Sequence, residues 1–357
     1  MRVSPRQRHG LKFTGRRRSV QLLHAHRERL TQVLAAKMRA LRPKRKVRLR
    51  DGMRVAFFVH PHRRDGYEVA RRAVSWLSER GHEGIVPQDR AGTWSELRDD
   101  FSRALEDQVD LAVSLGGDGT MLRTVELSIE ASVPVLGVNM GTLGYLTEVP
   151  TDGLEAALER FSTGEYEIEE RMTLEVEVVR GSSDVDEGSN ERSIGDEGFG
   201  RARAPLASHR NLVLNEAVVE KTFPGRTVRM DVSIDGTPFV TYAADGLIVA
   251  TPTGSTAYNL SVRGPIVSPR MSAVIVTPVS PHMLFDRSLV LEPSEGIMIK
   301  LVDGRRAGLV LDGFPLLELS PGDCVSCHAG SKRARLVTFH RRDFHAILKA
   351  KFALSGE

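Results

Sequence analysis

Between residues 53 and 140 the apolar pattern keeps changing period, and that alternation restricts the fold more than any other feature of the chain. MRVAFFVH is a short run of buried-strand character, followed by a stretch in which Val69, Ala73, Trp76 and Leu77 share one helical face and Gly81 supplies a stop. TWSE at 93–96 matches a capping box and opens a second helix with Leu97, Phe101 and Leu105 aligned. VDLAVSL is a strand, a helix follows the glycine-rich GGDGT, and VPVLGV is another strand. Strands alternating with helices predict a parallel, Rossmann-like α/β sheet.

After about residue 150 the helices give way. LEVEVV, NLVLNEAVVE, VRMDVSI, FVTY, GLIVA, AVIVT, IMIKLV and AGLVLDG are strand-like runs, and Asp235-Gly236 between two of them is a strong hairpin signal. The expectation is an α/β domain over 51–149 carrying GGDGT, then a β-rich domain over 150–332. Residues 181–208 are polar and glycine-rich, with the composition of a disordered hairpin insertion. ARLVTFH and RRDFHAILKAKF near the end read as a strand and an amphipathic helix, so 333–357 are expected to complete the first domain.

A chain of 357 residues exceeds the roughly 250–300 at which one core stops growing, which agrees with two domains. No run of apolar residues is long enough to cross a membrane, no secretory h-region follows the basic start, and two cysteines suit a reducing compartment. The expected location is cytoplasmic. Net charge is +4, but residues 1–50 hold 17 Lys or Arg against one acid, Glu28, so the remainder is strongly acidic. Nucleic-acid binding by the folded body is therefore not expected. Within the leader, Leu23, Leu30, Leu34, Met38 and Leu41 recur at helical spacing. The leader reads as a solvated extension before a fold starting at Met53, as a basic amphipathic helix for a membrane or a partner, or as an organellar transit peptide.

Three segments carry candidate chemistry. In GGDGT, Gly116, Gly117 and Gly119 permit a close approach to bare backbone, and free amides at a helix start attract an anion. The competing reading is a tight strand-to-helix turn in which Asp118 only caps the helix. Neither a Walker A loop nor a G-x-G-x-x-G is present. DGLIVATPTGSTAYNLS at 245–261 packs hydroxyls, an amide and Tyr258 after a buried strand, offering donors and acceptors to a nucleotide. Asn215-Glu216 interrupts an apolar strand, and buried polar groups of that kind require partners.

GGDGT at 116–120, NMGTLGYL at 139–146, NE at 215–216, DGLIVATPTGSTAYNLS and TPVSPH at 277–282 occur in one order, and together they resemble the NAD kinase family. The resemblance covers nearly everything from Met53 to the C-terminal helix and implies that family's two-domain architecture. It implies phosphorylation of the 2′-hydroxyl of the adenosine ribose of NAD by ATP, sometimes polyphosphate, with a divalent metal such as Mg2+ carried on the phosphates. Asp118 matches the family's proton acceptor. Gly116, Gly117, Gly119 and Arg123 match its phosphate side. Tyr145, Asn215 and Thr256 match its adenine side, and Glu216 its nicotinamide ribose. Asp245, Ala257 and Tyr258 match its nicotinamide side, and Arg226 matches a ligand-contacting arginine. Thr253, Asn259, Leu260 and Ser261 complete the nucleotide-binding run. A homodimer or homotetramer is implied.

Departures from the pattern are Ala243 where a basic residue is usual, Arg263 where glycine is usual, Phe314 in place of a polar residue, and Ser288 in place of proline. Arg263 is a candidate to supply the cation that Ala243 lacks. Cys324 to His328 spells C-x-x-C-H, but no export signal or second cysteine pair supports haem or zinc, and the segment reads as a strand. His282 reads as structural. Two other functions remain open at this point: a diacylglycerol-type lipid kinase anchored by the leader, and a non-catalytic dinucleotide sensor.

Overall fold

RVAFFV forms β1 (Arg54–Val59), and its unbroken apolar character follows from having both faces covered. Val55, Phe57 and Val59 face one side, where they meet Tyr67, Ala70, Ala73 and Leu77 of helix α1 (Arg64–Ser78). Ala56 and Phe58 face the other, and the Phe58 ring meets Phe101 edge-on at 5.1 Å. The computed structural model describes residues 52–86, 99, 101–105, 108–141, 144–181, 210–302, 305–340 and 343–354. The basic leader, the capping box at 93–96 and all but the first residue of the 181–208 insertion lie outside the described residues.

The chain leaves α1 and turns through Gly81, at φ +75°, into β2 (Glu83–Ile85). Next come β3 (Leu111–Gly116), α2 (Asp118–Ala131), β4 (Val135–Asn139) and the short β5 (Val149–Pro150). These strands are parallel, in the order β2-β1-β3-β4, with β5 against β4. Met121, Leu122, Val125 and Ile129 of α2 cover the face opposite α1.

The α/β layer runs past the expected boundary at 150. Helix α3 (Leu154–Ser162) buries Leu154, Ala157, Leu158 and Phe161, an i, i+3, i+4, i+7 stripe. Strand β6 (Glu167–Arg171) follows, and its sequence EIEER is too polar to announce itself as a strand. It forms the sheet edge, where charged side chains are at home. Its neighbour is β19 (Ala334–Thr338), which pairs with β6 antiparallel and with β4 parallel. The chain thus returns to the first sheet near its end.

The β-rich part begins at β7 (Leu174–Val179). It continues through β8 (Asn211–Val213), β9 (Glu216–Lys221), β10 (Val228–Ile234), β11 (Thr237–Ala244) and β12 (Gly246–Ala250). After the short helix α4 (Tyr258–Ser261) come β13 (Val274–Val279), β14 (Leu289–Leu291) and β15 (Ile297–Leu301). β16 (Ala307–Leu311), β17 (Phe314–Leu319) and β18 (Cys324–Ala329) complete it. Two antiparallel sheets result, β11-β10-β15-β18-β7-β8 and β14-β13-β12-β9-β16-β17. Inward residues such as Val176, Met230, Tyr242 and Ile299 from one sheet and Val219, Leu247, Val276 and Leu309 from the other share one core.

Asp235 and Gly236 take φ of +48° and +74° in the turn joining β10 to β11, the geometry of a two-residue hairpin. Asp312 and Gly313, at +49° and +81°, join β16 to β17 in the same way. The run NLVLNEAVVE is not one strand, because β8 lies in one sheet and β9 in the other. CVSCH lies in β18, with Cys327 in the sandwich core, Cys324 partly exposed and both thiols free. Among the described residues no helix is long and apolar enough to cross a membrane. The last helix is α5 (Phe344–Lys351), capped by the Asp343 carboxylate, which accepts from the amides of His345 and Ala346.

Candidate active site

β3 ends at Gly116, Gly117 caps the following helix with extended backbone, and Asp118 is the first residue of α2. A carboxylate there is favoured by the positive end of the helix. Its Oδ2 accepts the Tyr145 N–H at 2.7 Å and its Oδ1 the Leu146 N–H at 3.0 Å. Each oxygen keeps a lone pair for something else. Gly144 makes this arrangement possible, since a Cβ there would lie 2.1 Å from Asp118 Oδ1. The glycines of GGDGT divide by role. The space beside Gly116 is taken by Thr120, whose Oγ1 would be 2.2 Å from a Cβ, so Gly116 makes room for a neighbour. Gly117 and Gly119 face open space.

Asp118 lies at the carboxyl end of the parallel strands, where open α/β sheets form their crevices. A cleft of about 290 Å³ opens there, and Asp118, Tyr145, Asn215, Thr253, Thr256 and Ala257 are on its walls, as the sequence leads one to expect. Other walls were not foreseen. Arg171 is buried, with its guanidinium 3.1 Å from Glu169 and 3.4 Å from Thr253 Oγ1. The only sequence signal for this pair is two opposite charges in a run that hides a strand. Arg270 lines the cleft, as do Phe344, Ile347 and Lys351 of α5, and Lys351 Nζ lies 4.3 Å from the centre of the Tyr145 ring.

The hydroxyls of TPTGSTAY have two destinations. Thr251 Oγ1 donates to Leu214 O at 2.5 Å and accepts from the Gly254 N–H at 3.2 Å. Ser255 Oγ donates to Pro252 O at 2.7 Å and accepts from the Val267 N–H at 3.0 Å. Asn259 is fully buried. Its Nδ2 donates to Ser255 O and Pro265 O, at 3.2 and 3.1 Å, and its Oδ1 accepts from Thr277 at 2.7 Å. These three side chains satisfy a buried loop whose backbone has no ladder. The Asn259 side chain is thus spent inside the loop. Thr253 and Thr256 alone among the run's hydroxyls line the cleft.

Glu216 adjoins Asn215 and is buried, and its Oε2 has no hydrogen-bond partner among the described residues. Burial, and next the Asp312 charge, push its carboxyl up to about 8, against a Tyr258 amide that favours the charged form. Asp312 is pushed up to about 6 by burial, opposed by three backbone amides that it accepts. Asp245 pairs with Lys221 at 2.7 Å, so a cation stands beside it even with alanine at 243. Burial and then the carboxylates of Glu220 and Asp245 raise the Tyr258 phenol.

The remaining expected residues lie off the cleft. Arg123 is engaged, its Nη1 2.8 Å from Glu126 Oε2 and its guanidinium 3.2 Å from the centre of the Phe314 ring. The aromatic departure at 314 therefore holds an arginine by stacking, an interaction worth about 0.5–2 kcal/mol. Arg226 is exposed in the loop between β9 and β10, Leu260 is half-buried and Ser261 exposed on α4. Arg263 sits at φ +66°, which explains why glycine is usual there, and makes no ion pair among the described residues. Ser288 Oγ is 2.9 Å from Thr277 Oγ1 and extends the Asn259 network. Among the described residues no three His, Cys, Asp or Glu side chains converge as a metal site would require.

The family profile of the ATP-NAD kinase N-terminal domain matches residues 55–166, and that of the C-terminal domain matches 214–339. The NAD kinase of Heliobacterium modesticaldum is 39% identical over 288 residues, which are 80% of this chain and 93% of that protein. NAD kinase 1 of Streptomyces coelicolor is 35% identical over 319 residues, 85% and 86% of the two chains. In fold, the chain is similar to yeast NADH kinase complexed with NADH, with a TM-score of 0.71 at 24% identity, covering 86% of this chain and 89% of that one. The Archaeoglobus fulgidus NAD kinase in complex with ATP gives a TM-score of 0.59 at 23% identity, covering 85% and 100%. An α/β layer feeding an antiparallel sandwich is thus a shared architecture, and the chain belongs to the NAD kinase family.

Proposed function

We propose that this chain transfers the terminal phosphoryl group of ATP to the 2′-hydroxyl of the adenosine ribose of NAD, giving NADP, with Asp118 taking the hydroxyl proton. The observation that carries the reading is the Asp118 carboxylate, fixed by two amides on the wall of a cleft and still able to accept one more proton donor. A secondary hydroxyl attacks poorly until a positioned base takes its proton, and general-base help is worth about 10²–10⁴-fold. Phosphoryl transfer otherwise depends on alignment and on neutralising charge. The adenine half would lie against Tyr145, Asn215, Thr253 and Thr256, and the nicotinamide half beyond Ala257, toward Glu216, Asp245 and Tyr258. ATP, entering as its magnesium complex, would lay its phosphates along the bare backbone of Gly117 and Gly119.

Family membership displaces the lipid-kinase reading. A homo-oligomer built through the β-rich layer is supported by large apolar side chains left in water there, among them Phe223 at 68% exposure and Leu284 fully exposed. The test is direct. Purified protein with NAD, ATP and magnesium is scored for NADP, and Asp118→Asn is expected to lose about 10²–10⁴-fold in kcat. NADP formation by the variant at the normal rate would overturn the assignment, and repeating the assay with polyphosphate settles the donor.

A further inference from the structure

Leu214, Asn215 and Glu216 make the step from β8 in one sheet to β9 in the other, where sheet partners no longer serve every backbone group. Two distant residues serve them instead. The Asp312 carboxylate accepts the N–H groups of Leu214, Asn215 and Glu216 at 2.8, 2.7 and 3.1 Å. From the opposite edge Thr251 donates its hydroxyl to Leu214 O at 2.5 Å and its N–H to Asn215 O at 2.8 Å. The N–H of Asp312 closes the set on Glu216 O at 2.9 Å. With the backbone so held, the Asn215 side chain lies on the cleft wall without a partner among the described residues.

We infer that Asp312 is a positioning residue for the dinucleotide: its carboxylate pins the inter-sheet step so that Asn215 presents its amide to the substrate in the cleft that holds Asp118. The inference rests on the function proposed above. Only a carboxylate suits the task. Its two oxygens accept three N–H groups, whereas an asparagine would offer one oxygen and set its own N–H against a backbone N–H. The Asp-Gly turn supplies the rest, since Asp312 at φ +49° and Gly313 at +81° set the side chain against the start of β9.

The experiment is a binding cycle on the full chain. NAD affinity is measured by calorimetry for wild type, Asp312→Asn, Asn215→Ala and the double variant, beside melting curves and the KM for ATP. Asp312→Asn is expected to weaken NAD binding at least about tenfold, with the KM for ATP within about twofold of wild type. In the Asn215→Ala background most of that penalty should vanish, because the two residues act on one contact. Unchanged NAD affinity, or a penalty that multiplies in full in the double variant, overturns the inference. So does an equal loss for both substrates, which marks general destabilisation. Should Asp312→Asn fail to fold, Thr251→Val loosens the same step from its other edge and must show the same selective loss. If wild type binds NAD yet makes no NADP, the proposed function fails while the positioning role still stands or falls on the cycle.

Discussion

Gly144→Ala is the sharpest test of how the proposed base is held, because one added methyl group reaches the Asp118 carboxylate directly. The Cβ would lie 2.1 Å from Asp118 Oδ1, 2.8 Å from Asp118 Cγ and 2.7 Å from Thr147 Oγ1. Reaching an ordinary separation of about 3.5 Å requires the methyl and Oδ1 to part by about 1.4 Å beyond the 2.1 Å of the rigid structure. Backbone amides of Tyr145 and Leu146 anchor both oxygens, so the strain moves either the carboxylate or the loop that carries Tyr145. A misplacement of about 1 Å in a reacting group costs about 10²-fold in rate. Overpacking of this kind also costs about 1–3 kcal/mol of stability. The expected result is a kcat about 100-fold below wild type, bounded below by that of Asp118→Asn, in a protein that still melts cooperatively. The assay is NADP formation at saturating NAD and ATP, with Gly144→Ala made alone and in the Asp118→Asn background. A wild-type kcat for Gly144→Ala refutes the reasoning, and so does a further 100-fold loss once Asp118 is gone, since the methyl would then act elsewhere.

Two further outcomes follow from named groups. The Glu216 carboxyl is raised from 4.5 to about 8 on folding, so between those values the folded chain keeps a proton that the unfolded chain has released. Stability must then fall as pH rises, by up to about 1.4 kcal/mol per unit. Asp312, raised from 3.8 to about 6, acts in the same direction at lower pH, which leaves the interval from 6 to 8 to Glu216. Urea melts at pH 6, 7 and 8 should show Glu216→Gln gaining on wild type as pH rises, and parallel curves would refute this. Arg263 occupies a left-handed conformation at φ +66°, a cost of about 1–2 kcal/mol that glycine avoids, partly offset by glycine's freer unfolded chain. Arg263→Gly should therefore raise Tm, with a net gain of about 0.5–1 kcal/mol. With Lys221 already beside Asp245, the KM for NAD should not change, and a rise would restore Arg263 as the missing cation.

Strands β1 and β3 were legible because both are buried on both faces, so VAFFV is apolar throughout and LAVSL at every position but Ser114. β6 was not, since an edge strand with four charged residues in five has no apolar period to read. Asp118 and Asn215 stood out as polar groups in segments otherwise stripped of polarity. Asp312 did not, although Asp-Gly flanked by apolar runs announces a hairpin. Its task depends on NLVLNEAVVE breaking between two sheets, and the strand pattern on either side of the break is uninterrupted. The hydroxyls of the turn serve two ends that the sequence shows as one run. Composition cannot separate the hydroxyls that line the cleft, Thr253 and Thr256, from Thr251 and Ser255, which satisfy the loop itself.

Asp118 and Asp312 share one device. Each is a short acid that fixes successive amides of a distant segment, and each of those segments carries a side chain to the cleft, Tyr145 in the first case and Asn215 in the second. The proposed base is therefore also a clamp, and Asp118→Asn is not a purely chemical deletion. An asparagine keeps one acceptor and turns its Nδ2–H toward an amide N–H, so either Tyr145 or Leu146 loses its anchor. Loss of a base alone lowers kcat and leaves NAD affinity intact, whereas loss of base and clamp together lowers kcat and weakens NAD binding. The dual role requires the second pattern. Gly144→Ala, which leaves every acceptor in place and only displaces them, should in contrast lose more in kcat than in affinity.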